Sequence, residues 1–229
     1  LLKNEKENLG FYLSGHPLEQ YEDIIKYYTT ATSQTLVEQP NGTEVYTAGL
    51  IASVRLTKTK KAGESMAILA IEDLEGVTDV VVFPEAYKGS HSAIEEGSVV
   101  WIRGNVGEGR TKNGGNGDEI EEDVRQIQAE EILPIGQVAE RLTSAIEIAI
   151  PEPDTADQEK IDALQSICLR NRGEHNLILR LINSKYGEVI AQCSGRYNVT
   201  YDKSIAAEIE KIFGENSVKP SNRTMRAKQ

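Results

Sequence analysis

Residues 45–57 alternate between two sets of side chains. Tyr46, Ala48, Leu50, Ala52, Val54 and Leu56 fall on one face, and Thr47, Gly49, Ile51, Ser53 and Arg55 on the other. A period of two marks an extended strand, because successive side chains point to opposite faces of a sheet. Further strand-like stretches follow at 66–72, 77–83, 98–106 and 119–132. The turn Asp73-Leu74-Glu75-Gly76 separates the second from the third. Pro84 opens a helix over 85–95 that closes near Gly97, between the third and fourth strands. A glycine-rich turn over 107–117 joins the fourth strand to the fifth, and Pro134 ends the set.

Five strands with a helix between the third and fourth predict an OB-fold β-barrel over residues 44–135. Gly49 and Gly104 lie inside strands, where so small a barrel needs strong bends. Residues 1–43 read as a helical connector. Helix is predicted over 3–28, stopped at Gly15 and restarted at Pro17, with Leu18, Tyr21, Ile24, Ile25 and Tyr28 at helical spacing. Residues 29–43 are polar and end in the turn Pro40-Asn41-Gly42.

Residues 136–218 read as a small α/β domain of βαββα order. A strand at 145–150 precedes the linker-like turn Pro151-Glu152-Pro153-Asp154. A helix follows over 157–170, with Ile161, Leu164, Ile167 and Cys168 on one stripe and Gly173 as its cap. Strands at 176–183 and 188–194 form a hairpin through Ser184-Lys185-Tyr186-Gly187. Asp202 reads as a helix N-cap ahead of Ile205, Ile209 and Ile212. A last short strand falls near Ser217 and Val218, and residues 219–229 read as a basic disordered tail.

The chain of 229 residues carries a net charge of −11, which argues against a protein that coats duplex DNA by bulk electrostatics. Residues 44–135 carry 9 basic and 17 acidic side chains, and residues 154–229 carry 12 basic and 10 acidic. Any nucleic-acid contact must come from local basic loops on an acidic body. The start, Leu1-Leu2-Lys3-Asn4-Glu5-Lys6-Glu7, lacks both an initiator Met and a signal-peptide core, so the sequence reads as a piece of something longer. No apolar run is long enough for a membrane span. Cys168 and Cys193 read as buried reduced thiols, which suits a cytoplasmic protein.

Lys58, Lys60 and Lys61 lie in the loop between the first and second strands, and Arg110 and Lys112 in the loop between the fourth and fifth. These two loops flank the usual binding face of an OB-fold. With Arg55 they make a candidate groove for a single-stranded phosphate backbone. The alternative is that lysines at hairpin tips only keep an edge soluble. Trp101 and Arg103, two apart on the fourth strand, share a face opposite Val100 and Ile102 and are candidates to stack bases. Alternatively, the preceding helical region covers Trp101, and Arg103 pairs with a carboxylate. Phe83, before Pro84, is expected to pack in the core, with a base contact as the alternative. Glu72-Asp73 and Glu121-Glu122-Asp123 read as solvated strand ends, because alternation splits neighbouring carboxylates between faces. His16, His91 and His175 are scattered and fit no metal pattern. No cofactor and no catalytic constellation is expected.

Glu7-Asn8-Leu9-Gly10-Phe11-Tyr12-Leu13-Ser14-Gly15-His16-Pro17-Leu18 resembles a signature of the alpha subunit of bacterial DNA polymerase III, found just before its OB domain. Similarity continues through residues 57–61, Gly63, Met66, Ile71-Glu72-Asp73, Gly76, Val80-Val81-Val82-Phe83-Pro84 and Tyr87, and more weakly through 195–214. The resemblance implies an OB domain that contacts template single strand and a C-terminal domain that docks a clamp-loader subunit. It also implies that the catalytic aspartates and the sliding-clamp motif lie in the remainder of the polymerase alpha subunit, N-terminal to this region. This chain alone should then not polymerise. Two other readings stay open: a protein-interaction module whose barrel does not bind DNA, and a tRNA-binding OB-fold.

Overall fold

A computed structural model describes residues 15–60, 62–112, 121–155, 157–183 and 187–222. The expectations for 3–14, including the Leu9–Leu13 stretch of the signature, fall outside those residues. So do those for Lys61, 113–117, 184–186 and 223–229. The chain divides into two compact units, Leu1–Val138 and Ala139–Gln229.

The first unit is a closed barrel of β1 (Glu44–Lys58), β2 (Ser65–Glu72), β3 (Val77–Val82), β4 (Val99–Lys112) and β5 (Glu121–Pro134), in the order β1-β2-β3-β5-β4. β3 and β5 run parallel, and the other pairs are antiparallel. A helix over Pro84–Ser90 and a 3₁₀ turn over His91–Ala93 join β3 to β4. This is the OB-fold order that the sequence predicts. Ile51, Leu69, Val80, Val100, Ile102 and Ile127 fill the interior, each at most 2% exposed. Burying each such side chain is worth about 1.5–3 kcal/mol.

One feature of β1 departs from the sequence pattern. The pairing of β1 with β2 shifts register between Ile51 and Ser53. An extra residue there reverses the phase of the strand. Val45 and Ile51 point into the barrel before the bulge, and Val54 packs against the same core after it. Tyr46, Ala48 and Leu50 are therefore buried on the outside of the barrel, not in its core. Gly104 stands at a second irregularity, in the β4–β5 ladder. A Cβ there would lie 2.4 Å from the Gln128 carbonyl oxygen, so close strand approach demands glycine.

Residues 15–43 are part of this unit rather than a separate connector. A helix over Glu22–Tyr28 lies against β1, and the Thr30 amide donates to the Tyr46 carbonyl at 2.7 Å. A second helix, Ser33–Leu36, is capped by Thr32 and held by Asp73, whose carboxylate accepts from the Ser33 amide at 2.6 Å and its hydroxyl at 2.7 Å. Ala31 and Leu36 join the barrel core.

The second unit is a four-stranded sheet of β6 (Ala145–Pro151), β7 (Arg172–Asn183), β8 (Gly187–Gln192) and β9 (Val218–Ser221), ordered β8-β7-β6-β9. β6 and β7 are parallel and joined through a helix over Gln158–Arg170, as a parallel crossover requires. That helix and a second over Lys203–Phe213 cover one face with Leu164, Ile167, Ile205, Ile209 and Phe213. The sequence reading differs in three places. Residues 219–221 belong to β9, paired with β6, and not to a tail. Residues 152–155 form a short helix where a linker-like turn is expected. Gly173 lies in β7, where a Cβ would meet the Thr200 amide nitrogen at 2.4 Å, so it marks a close approach and not a helix cap.

Asp202 is the N-cap of the Lys203–Phe213 helix, accepting from the Ser204 amide at 2.7 Å and the Ile205 amide at 3.0 Å. The Ser204 hydroxyl and these amides hold its carboxyl below the usual carboxylate range. Asp202→Ala is expected to destabilise the second unit by about 1 kcal/mol at neutral pH. A carboxyl whose pKa is depressed in the fold stabilises above its unfolded value and loses that effect as pH falls through the folded one. Urea denaturation should therefore show the wild type and Asp202→Ala converging in acid.

Candidate nucleic-acid interface

The closed barrel presents two very different outer faces. On the β1–β4–β5 side, Ala48, Trp101 and Leu133 stand in register, and Tyr46, Arg103 and Glu131 form the next row. Trp101 is 1% exposed. Its indole Nε1 donates to the Tyr28 carbonyl at 2.6 Å, and its ring stacks on Tyr46 with centroids 5.7 Å apart. Base stacking by Trp101 is thus corrected: the residue anchors the N-terminal helix to the barrel. Arg103 is corrected as well. Its guanidinium lies 3.2 Å from Glu130, 3.5 Å from Glu131 and 3.7 Å from Glu44. Three carboxylates occupy the cation that the sequence reading offered to phosphate or base. Burial and the acceptor Glu44 push the Tyr46 phenol up to about 12, which fits a closed, acid-rich surface.

The other face lies on β1, β2 and β3. Val54, Leu69 and Val80 are register partners that point inward, so the rows between them point out. One outward row is Arg55, Ile68, Val81 and Gln128, and the next is Ser53, Ala70, Asp79 and Gln126. Toward the β1–β2 hairpin, Thr57 pairs with Met66 and Lys58 with Ser65. Arg55, Lys58 and Lys60 are exposed, and among the described residues none of them is held in an ion pair. The hairpin closes through the Thr59 amide and the Glu64 carbonyl at 2.9 Å, which lifts Lys60 to its tip.

The two candidate loops flank this face at opposite ends. β2 enters beside the C-terminal end of β3, with Ala67 opposite Val82. β5 runs parallel to β3, so the β4–β5 hairpin lies toward the N-terminal end of β3. Between them β3 offers six residues, about 20 Å of strand. Arg110 and Lys112 are placed by backbone register alone. They stand opposite Asp123 and Glu121 on the outer reach of that hairpin, beyond the span that pairs with β1.

Phe83 is 45% exposed rather than packed in the core. It follows the last residue of β3 and precedes the Pro84–Ser90 helix, so the barrel interior ends at Val82. Leu56, opposite Ala67, is 64% exposed at the same end. The sequence pointed to the basic loops but missed Met66, Ile68, Gln126 and Gln128 as parts of one surface. Alternation along each strand could have found them once the β1 phase change was known.

Among the described residues no group of His, Cys, Asp and Glu could hold a metal ion, and no helix is long and apolar enough to cross a membrane. Burial pushes the Cys168 thiol up to about 11 and raises that of Cys193, which leaves both poorly nucleophilic.

Comparison with known proteins gives one family match and a consistent set of relatives. A family described as an OB-fold nucleic acid binding domain matches residues 45–135. DNA polymerase III subunit alpha of Aquifex aeolicus is 30% identical over 213 residues, covering 92% of this chain and 17% of that protein. The same subunit of Halalkalibacterium halodurans is 25% identical over 217 residues, covering 95% of this chain and 18% of that protein. That of Borreliella burgdorferi is 37% identical over 112 residues, covering 49% of this chain and 10% of that protein. The chain thus spans less than a fifth of the length of these relatives.

Proposed function

Because this chain corresponds to a region of the bacterial DNA polymerase III alpha subunit, an OB-fold barrel with the domain that follows it, we propose that it holds single-stranded DNA template for a replicative polymerase and docks that polymerase to a partner subunit. The observation that carries the DNA reading is the outer face of β1–β2–β3. It combines the cations Arg55, Lys58 and Lys60 with the half-buried apolar side chains Met66 and Ile68. Such a face can track a phosphate backbone while it shelters bases, without reading sequence. The opposite face, closed by Trp101 and the Arg103 carboxylate cluster, has no such capacity.

On this reading the nucleotidyl transfer belongs to the remainder of the alpha subunit, acting in the cytoplasm. The second unit is the docking module. Its edge strand β8 lies at the end of the sheet order and leaves Val189 52% and Ile190 60% exposed, which is the form of surface that a clamp-loader subunit could extend.

Titration of a fluorescent single-stranded oligonucleotide at ~50 and ~150 mM salt tests the DNA reading. Micromolar binding that weakens with salt is expected, because phosphate contacts release counterions. Absence of binding at ~50 mM salt would oppose it and favour a protein-interaction scaffold.

A further inference from the structure

We propose that Phe83 is a base-stacking platform at the β1–β2-hairpin end of the barrel face, an inference that rests on the single-strand reading above. Phe83 is an exposed aromatic in a position with little freedom. Its backbone is extended, at φ −67° and ψ 163°, Pro84 follows it directly, and its carbonyl accepts from the Tyr87 amide at 2.8 Å. Proline restricts the residue before it to this extended region, so the ring is presented from a fixed point. A large apolar ring left in water is a surface that a partner can cover.

Its surroundings fit a nucleobase and its phosphate. Val82 opposes Ala67, and Ala67 opposes Leu56, so Phe83 stands one step beyond a level that ends in the exposed Leu56. Met66, half-buried, precedes Ala67 on β2, and Lys58 lies two residues past Leu56 on β1. The Pro84–Ser90 helix that starts after Phe83 reaches the hairpin through Lys88, whose Nζ lies 3.1 Å from Glu64. The aromatic ring and the lysine hairpin therefore share one end of the barrel.

The chain carries a net charge of −11, and among the described residues the face offers Arg55, Lys58 and Lys60 as cations outside any ion pair. Phosphate attraction alone gives such a body little affinity, whereas stacking is indifferent to the protein's net charge. Every base has a π-face, so the platform would accept any sequence.

The test uses the full chain, a labelled oligothymidylate and two substitutions. Phe83→Ala should lose roughly ten- to a hundredfold in affinity with an unchanged salt slope, since stacking releases no counterions. Phe83→Trp should keep its affinity, and its new exposed indole should be quenched on binding, above the background of the buried Trp101. Circular dichroism should be the same in all three proteins. Wild-type binding with no loss in Phe83→Ala, or no quench in Phe83→Trp, would overturn the platform and leave the single-strand reading standing. Failure of the wild type itself to bind at ~50 mM salt would remove both.

Discussion

Trp101→Ala is expected to destabilise the barrel unit by about 3–5 kcal/mol and to leave the single-strand affinity of the folded protein unchanged. The size follows from three losses. The indole is 1% exposed, so its removal leaves a cavity under the Glu22–Tyr28 helix. The Tyr28 carbonyl loses its donor at 2.6 Å, and Tyr46 loses its stacking partner at 5.7 Å. A buried carbonyl without a partner costs about 1–3 kcal/mol by itself. Trp101→Phe separates the terms: it retains most of the apolar contact and loses only the hydrogen bond, so its cost should be near that last figure. Urea denaturation followed by circular dichroism measures both. A Trp101→Ala protein of wild-type stability and weakened DNA binding would reverse the assignment and return the indole to a base-stacking role.

The second large effect belongs to the β1–β2 hairpin. Lys58→Glu with Lys60→Glu should weaken single-strand binding by on the order of ten- to a hundredfold at ~50 mM salt. The salt dependence should flatten too. Each phosphate contact contributes about −0.7 to the slope of log affinity against log salt for a single strand, so losing two should reduce its magnitude by about 1.4. Both lysines are exposed and outside any ion pair among the described residues, so stability should change by less than about 0.5 kcal/mol. This separation of binding from stability is the mirror image of Trp101→Ala. An unchanged slope would remove the hairpin from the interface.

The contrast between these residues shows what the sequence could reveal. Strand order, the helix after Pro84 and the Asp202 cap are local properties, written in alternation, in a ring that cannot donate a hydrogen bond, and in a side chain that reaches its own helix. The fate of Trp101 is not local. Its hydrogen-bond partner, Tyr28, lies 73 residues away in sequence, on an element that alternation treats as a separate connector. Arg103 is similar: two of its three carboxylates come from β5 and one from the start of β1. A strand pattern says that Trp101 and Arg103 share a face, but not what covers it.

The bulge between Ile51 and Ser53 explains another gap. Counting from Tyr46 without it leaves Arg55 on the inward face of Ile51, whereas the shift sets Arg55 outward beside Ile68 and puts Leu56 on the inward phase of Val54, at the exposed end of the barrel. Phe83 falls outside the core for a related reason. Apolar residues run continuously from Val80 through Phe83, yet interior packing stops at Val82, where Pro84 begins to turn the chain into its helix. Residues 219–221 read as tail because three strand residues in a polar context carry no periodic signal; only pairing with β6 orders them.

Amide chemical-shift mapping with an unlabelled single-stranded oligonucleotide separates the two faces of the barrel. Perturbations are expected at Arg55, Lys58, Met66, Ile68 and Phe83, with little change at Tyr46, Trp101, Arg103 and Glu131. Perturbations gathered on the Tyr46–Arg103–Glu131 face, or spread over the second unit alone, would contradict single-strand binding on β1–β2–β3.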